Sequence, residues 1–200
     1  MLGRLLLSVA LAGALGACVT ASNTLTKDEV GSLKLAGVKV GFAPDARVQW
    51  NEGRYAYAAT KGVSAVESDS VADTPEGQAY VRNMVATKTK DSFERHLGGA
   101  LKGARPAMVQ IQVKSLIVTS AAQRIVLGGN HAMVADVTLV DPKTGAVIVA
   151  FPGQTAITTA GQGIAGVLVD QMLVGDPIDR VIDTYAQQYR YWLLSPRGTS

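Results

Sequence analysis

Two apolar segments separated by a short turn sequence constrain the fold of this chain most strongly. Residues 131–140 and 146–151 are both strand-like, and Asp141-Pro142-Lys143-Thr144-Gly145 joins them. Pro142 pre-sets the second turn position, and Gly145 accepts the positive φ through which such loops rejoin the ladder. The segments are therefore predicted to form a β-hairpin. Because both are apolar on nearly both faces, we expect two central strands.

Other segments show the two-residue alternation of strands. Residues 35–43 and 46–50 alternate on either side of a proline-aspartate break, and residues 109–113 alternate apolar with polar side chains. The phase slips at Ser115, which predicts a bulge or bend. Residues 124–127 are expected to extend the sheet.

Helical spacing begins at Thr74. Apolar residues recur at helical intervals from there to Leu101, and Pro75 is favoured in a first turn capped by Thr74 or its predecessor. Further helices are predicted over residues 164–172 and from the N-cap Asp176. This element order predicts an α+β fold: a two-layer sandwich, an antiparallel-rich sheet with helices mainly on one face.

The N-terminus has the organisation of a secretory signal. Residues 1–4 carry one positive side chain, residues 5–15 are largely apolar, and two small residues precede Cys18, the only cysteine. A helix over residues 5–15 would extend about 16 Å, too little to cross a ~30 Å bilayer core. We therefore expect a cleaved signal peptide over residues 1–17.

Leu15-Gly16-Ala17-Cys18 resembles the lipobox of bacterial lipoproteins. In that family the cysteine receives a diacylglycerol, the signal is cut before it, and the new N-terminus is acylated with fatty acids such as palmitate. The resemblance implies lipidation at Cys18, and Val19 is similar to the outer-membrane sorting pattern of Gram-negative hosts. A lipidated tether is then expected over residues 18–33, and one periplasmic domain over residues 34–200. An ordinary signal peptide with an incidental cysteine is the alternative.

The element order also resembles that of small bacterial envelope lipoproteins of unknown function. Some of those families have a strand, a long helix, a three-stranded meander with an Asp-x-x-Thr-Gly turn, and a final helix. Asp141-Pro142-Lys143-Thr144-Gly145 is similar to that turn. The periplasmic domain of the curli secretion lipoprotein has a similar layout. The resemblance covers roughly residues 34–194 and implies a fold but no catalytic residues.

Composition narrows the partners and cofactors. The 19 Lys and Arg residues nearly balance 16 Asp and Glu residues, so no nucleic-acid partner is expected. One cysteine and two histidines exclude a four-ligand Cys/His zinc site, and no metal is expected. The GxGxxG sequence at residues 161–166 lacks the following strand with an acidic residue that dinucleotide binding needs, so no cofactor is expected.

Catalytic residues are not expected either. His131 and Asp136 lie an odd number of positions apart, which places them on opposite faces of a regular strand. The chain has no GxSxG nucleophile elbow.

Two surface features leave alternatives open. A basic helix could dock on anionic lipid headgroups or form a solvated face; its cations are Arg82, Lys88, Lys90, Arg95, Lys102 and Arg105. Trp50, Tyr55 and Tyr57 are candidate partner-binding residues if exposed, and core residues if buried.

These observations favour a non-enzymatic, lipid-anchored binding or assembly module of the cell envelope. Its expected location is the periplasmic face of the outer membrane, with an envelope protein as the possible partner. The alternative is an envelope hydrolase acting on peptidoglycan or lipid. Ser, His and Asp side chains converging in one cleft would favour the hydrolase.

Overall fold

The computed structural model describes residues 21–160, Gly163 and residues 176–195. In chain order the elements are α1 (Lys27–Ser32), β1 (Leu33–Gln49), α2 (Asn51–Thr60), a 3₁₀ turn (Ala65–Glu67), α3 (Asp69–Ala72), α4 (Pro75–Gly98), β2 (Arg105–Ile117), α5 (Ala121–Val126), β3 (Asn130–Val140), β4 (Val147–Thr159) and α6 (Pro177–Leu194). The α+β prediction is confirmed.

The four strands form one mixed sheet in the order β1-β2-β3-β4. β1 and β2 are parallel and are joined by the crossover through α2, α3 and α4, whereas β2, β3 and β4 pair antiparallel. α4 packs on β1, and α6 packs on β3 and β4. The two helices lie side by side on one face of the sheet, which is the predicted two-layer arrangement.

The core lies between this sheet face and the two long helices. Burial alternates along β2 and β3, so one set of side chains faces the helices while the other faces outward. The largest fully buried side chains are Tyr185, Tyr189, Phe93, Leu33, Leu97, Leu116, Met133, Leu139, Ile178, Ile182, Leu193 and His131. The hydroxyl of Tyr185 donates a hydrogen bond to the carbonyl oxygen of Ala135, 2.6 Å away, and fixes α6 against β3.

The two long helices begin at the residues that the sequence predicts, and the hairpin turns where it predicts. Thr74 caps α4 by accepting a hydrogen bond from the amide of Gly77, and Asp176 caps α6. Gly145 has φ +74°, which confirms its turn role. The register of β2 against β3 shifts between Val113 and Ser115, which confirms the predicted bulge.

Two expectations about the strands are wrong. β4 is an edge strand, because no further strand follows it in the sheet of the described residues. Residues 124–127 do not extend the sheet: residues 121–126 form α5, since Ser120 caps this turn of helix and Arg124 turns inward. The β-branched residues there had favoured a strand, but tertiary packing decides.

The packed part of the chain also begins earlier than residue 34, where the sequence predicts its start. Leu25 and Val30 belong to the hydrophobic core, so the packed domain starts well before residue 34. Thr26 and Glu29 form a reciprocal capping box that starts α1. Residues 21–32 are polar in sequence because Leu25 and Val30 are their only buried aliphatic side chains.

The segment from residue 21 is held against the end of α6. The side-chain amide of Asn23 donates to the carbonyl oxygens of Trp192 and Leu193, each at 3.0 Å. The indole nitrogen of Trp192 donates to the carbonyl oxygen of Ala21 at 2.8 Å. The predicted helix over residues 164–172 and most of the GxGxxG sequence lie outside the described residues.

Candidate functional site

The three candidate aromatic residues do not form an exposed patch. Trp50 and Tyr57 are 2% and 3% exposed and belong to the interior, and only Tyr55 reaches solvent. The ring of Tyr57 packs against that of Tyr80, with centroids 5.2 Å apart. Trp50 covers Gly53, where a side chain would overlap the indole ring. Of the two alternatives, burial in the core is correct for Trp50 and Tyr57.

His131 and Asp136 lie on opposite faces of β3, as the spacing predicts. The Nδ1 atom of His131 is buried and accepts a hydrogen bond from the amide of Thr119 at 3.1 Å. Asp136 faces outward, pairs with Lys114 at 2.8 Å and accepts a hydrogen bond from the amide of Gly153. His131 is bonded to the loop after β2, and Asp136 is bonded to the bulge of β4. The two side chains therefore do not belong to one site.

Ser, His and Asp side chains do meet elsewhere, between α4 and α6. The Oδ1 atom of Asp183 lies 2.9 Å from the Ser92 hydroxyl, 2.8 Å from His96 Nε2 and 3.2 Å from Arg95 Nη2. An open cleft of about 620 Å³ adjoins them. Partial burial alone would raise the pKa of Asp183, but the hydrogen bonds from His96 and Ser92 lower it below the usual value.

The order of these hydrogen bonds does not match nucleophilic catalysis. A catalytic triad needs the imidazole between the hydroxyl and the carboxylate, so that it can remove the hydroxyl proton. Here the carboxylate of Asp183 is the centre, and both Ser92 and His96 bind to it. No hydrogen bond joins Ser92 to His96 among the described residues. The arrangement ties two helices together and does not place the His96 imidazole where it could accept the serine proton.

Two of the four Lys and Arg residues of α4 pair with α6. Lys88 lies 2.7 Å from Asp179, and Arg95 meets Asp183. Within α4, Lys90 pairs with Glu94 at 2.9 Å. The solvated-face interpretation is therefore favoured for these three cations, although their partners lie mainly on the neighbouring helix.

A different surface is exposed at the loop between β2 and β3. Val126 and Leu127 are 78% and 80% exposed, and Ile125 is 43% exposed. We call residues 125–127 the apolar tip. Sequence reasoning placed this run in the sheet, and the only local sign of its exposure was the Gly128-Gly129 pair that follows.

The loop that carries the apolar tip has a tight base. The hydroxyl of Thr119 donates to the carbonyl oxygen of Asn130 at 2.7 Å, and a side chain at Gly129 would meet the Thr119 side chain. Gly128, with φ +74°, ends α5 and turns the chain back. A rigid base that presents exposed aliphatic side chains is typical of an interaction surface rather than of random exposure.

The apolar tip and residue 21 lie at opposite ends of the sandwich. Ala21 contacts Trp192, whose ring packs 4.7 Å from that of Phe151. Phe151 pairs with Val137, whereas β3 begins beside the apolar tip at Asn130. Seven residues of strand, about 23 Å, separate these two levels. We call the end with residue 21 and the hairpin turn the proximal end, and the end with the apolar tip the distal end.

The described residues offer neither a metal-binding cluster nor a membrane-spanning helix. In that part of the chain, His, Cys, Asp and Glu form no group of three that could hold a metal ion. No helix among the same residues combines the length and apolar character needed to cross a membrane.

Comparisons with known proteins give a likeness of fold only. No protein-family model matches the chain, and no curated protein matches its sequence. Among solved structures, the chain is similar to a candidate lipoprotein from Caulobacter crescentus CB15, at 17% identity and a TM-score of 0.35, over 56% of this chain and 81% of that one.

Two further structures are similar over most of the chain. The PelC dodecamer from Paraburkholderia phytofirmans matches at 11% identity and a TM-score of 0.40, over 90% of this chain and 96% of that one. A Xanthomonas campestris protein of family DUF330 matches at 12% identity and a TM-score of 0.42, over 88% of each chain. Likeness at this level carries no argument about the activity, location or partners of this chain.

Proposed function

We propose that this protein is a lipid-anchored binding or assembly module of the bacterial cell envelope that makes its main contact through the apolar tip. The observation that carries the proposal is the exposure of Val126 and Leu127 at the distal end, away from residue 21. An anchor on Cys18 would enter at the proximal end, since only two residues separate Cys18 from Ala21. The apolar tip would then face away from the membrane that holds the anchor.

The anchor itself rests on the lipobox. Acylation at three positions would supply more than the two signals that stable membrane anchoring needs. The periplasmic face of the outer membrane is the proposed location, from Val19 after the cysteine. Cys18→Ser should abolish incorporation of labelled palmitate and release the protein from the membrane fraction. Incorporation of labelled palmitate by this variant would contradict lipidation at Cys18.

The contact surface is tested separately. Val126→Asp combined with Leu127→Asp places two charges where an apolar partner surface would otherwise exclude water. In a deletion strain, this double variant should fail to restore growth under envelope stress, at an abundance equal to that of the wild type.

Val66→Asp is the matched control. Val66 is 94% exposed on the 3₁₀ turn, so it is an exposed aliphatic residue outside the apolar tip. It should restore growth fully. A double variant that folds normally and restores growth as well as Val66→Asp would contradict a contact role for the apolar tip.

A further inference from the structure

A groove runs along the free edge of β1. Its sheet wall is formed by Val40 and Phe42, both half-buried, and its helix wall by the first half of α4. The groove encloses about 410 Å³, and a second cleft of about 190 Å³ begins on the far side of Arg82. The helix wall consists of Pro75, Gln78, Ala79, Arg82, Asn83 and Ala86.

Arg82 stands where the two clefts meet. Its guanidinium lies over the ring of Phe42, 5.6 Å from the centroid, and its Nη2 atom is 3.4 Å from the carbonyl oxygen of Ala46. Among the described residues no carboxylate pairs with it. By contrast, Arg54 in the adjoining cleft is held by Asp69 and Asp73 at 2.6 and 2.8 Å. Arg82 is thus a positioned, half-buried cation whose donors are largely unused.

The backbone of β1 is available beside this groove. Near its start, Lys34 forms an antiparallel bridge with Lys102, so the chain itself already uses the outer edge there. From Ala36 to Phe42, no strand of the described residues pairs with that edge. Unpaired edge amides and carbonyls are a template for an added strand, and side pockets then supply specificity.

The other edge of the sheet is less suited to an added strand. β4 carries Pro152, which has no amide hydrogen, and Gly153 at φ +61° within a bulge. Both features interrupt a regular ladder and are common protections of edge strands. The difference directs an added strand to β1.

The charges around the groove indicate which kind of added strand would bind there. Along its free edge, from residue 36 to residue 42, β1 carries Lys39 and no carboxylate, and Asp45 follows beyond the groove. On α4 the nearest acidic residue is Glu76, which is paired with Lys61 at 2.9 Å. Asp73 lines the adjoining cleft but is paired with Arg54, and Asp45 is not part of the groove lining. Arg82 is therefore a cation that no carboxylate of the described residues engages, and Arg binds carboxylates through paired hydrogen bonds.

The geometry points to this groove as a binding site for an extended acidic peptide segment of a partner protein, which adds to the edge of β1 and places a carboxylate on Arg82. Apolar side chains of the segment would lie against Val40 and Phe42. The site is separate from the apolar tip, so it gives the protein a second contact that does not depend on the first.

The test uses the full chain in detergent with two labelled eight-residue peptides, one alternating Val with Glu and one alternating Val with Gln. The Glu peptide should bind at least about tenfold more tightly, because charged hydrogen bonds contribute more than neutral ones. Arg82→Gln should weaken its binding by about tenfold and leave the Gln peptide unchanged. Arg190→Gln, an exposed arginine on α6, is the control and should change neither.

Hydrogen exchange locates the bound peptide. Amides between residues 36 and 42 should gain protection, and those of β4 should not. Ala86→Glu, which brings a carboxylate into the groove, should abolish binding while the thermal transition stays intact. Equal binding of both peptides, binding that Arg82→Gln leaves unchanged, or protection on β4 would each overturn the proposal. So would concentration-dependent dimerisation that Ala86→Glu removes, since the groove would then hold a second copy.

Discussion

The proximal and distal ends of the sandwich are built in opposite ways. At the proximal end, Ala21 and Asn23 are hydrogen-bonded to α6, and Leu25 and Leu33 are buried. At the distal end, the base of the β2–β3 loop is closed, but the apolar tip stands in solvent. The N-terminal segment of the described chain is therefore packed, whereas the apolar tip is not.

This difference separates two tasks that a tethered binding protein has to perform. Pull on the proposed anchor would act first on residues 21–25, where Ala21 and Asn23 are hydrogen-bonded to Trp192 and Leu193 at the end of α6. A contact surface has to remain accessible before its partner arrives, which forbids burial of its apolar side chains. The following variants test whether the two ends differ in this way.

The largest loss of stability is expected from Gly103→Ala at the proximal end. A Cβ at this position would overlap the backbone carbonyl of Ser32, and backbone atoms cannot move aside cheaply. We expect destabilisation of about 3 kcal/mol or more, measured by urea unfolding. Gly98→Ala, which meets no atom within 4 Å, is the control and should change stability little. Equal effects would mean that α1 does not pack on this turn.

The next effect is expected from Asn23→Ala. It removes the hydrogen bonds that Asn23 donates to Trp192 and Leu193 and the one that its side-chain oxygen accepts from the amide of Leu25. Because these groups are buried, we expect a loss of about 2 kcal/mol in the same unfolding measurement. Asn83→Ala, on the exposed face of α4, should lie within about 0.5 kcal/mol of wild type. A similar loss in both variants would show that the N-terminal segment is loose.

A smaller effect, dependent on pH, is expected at Asp183 between the helices. Its pKa is lowered in the folded state, so its contribution is present above the unfolded pKa of about 3.9 and is lost as the pH falls through the folded value. Asp183→Asn should cost less than about 1 kcal/mol at pH 7, since the carboxylate is 46% exposed.

The same variant should also flatten the fall in stability below pH 4. Urea unfolding at a series of pH values from 7 to 3 gives both the loss of stability at pH 7 and the fall in stability in acid. If the stability of the wild type and of Asp183→Asn fell equally steeply below pH 4, the Asp183 carboxylate would not stabilise the packing of α4 on α6.

The smallest effect on stability is expected at the distal end. Val126→Asp with Leu127→Asp should change the free energy of unfolding by no more than about 0.5 kcal/mol, because both side chains are already solvated. Differential scanning calorimetry measures this directly. A loss comparable to that of Asn23→Ala would show that the apolar tip is packed, and the contrast between the two ends would disappear.

The sequence predicts the regular parts of this fold because their signals are local. The turn at Asp141–Gly145, the caps at Thr74 and Asp176 and the bulge at Ser115 all depend on nearby residues. These features position the sheet and both long helices.

The binding surfaces depend on tertiary contacts that no local pattern contains. Residues 124–127 have strand-like composition, yet Ser120 and the inward turn of Arg124 make them helical and expose their neighbours. The burial of Trp50 depends on its packing against Gly53 and α4. Arg82 is accessible because β1 is the edge strand of the sheet. Resemblance and periodicity therefore predicted an envelope domain but not the surface that it presents.

The central claim is that the protein is anchored at the proximal end and presents the distal end away from the membrane. Fluorophores attached at Lys143→Cys in the hairpin turn and at Gln123→Cys on α5 test it, in lipidated protein on vesicles that contain a lipid-bound quencher. The lipidated Cys18 would leave the introduced cysteine as the only free thiol. The fluorophore at residue 143 should be quenched strongly and that at residue 123 weakly. Stronger quenching at residue 123 would place the apolar tip in the bilayer and contradict the account.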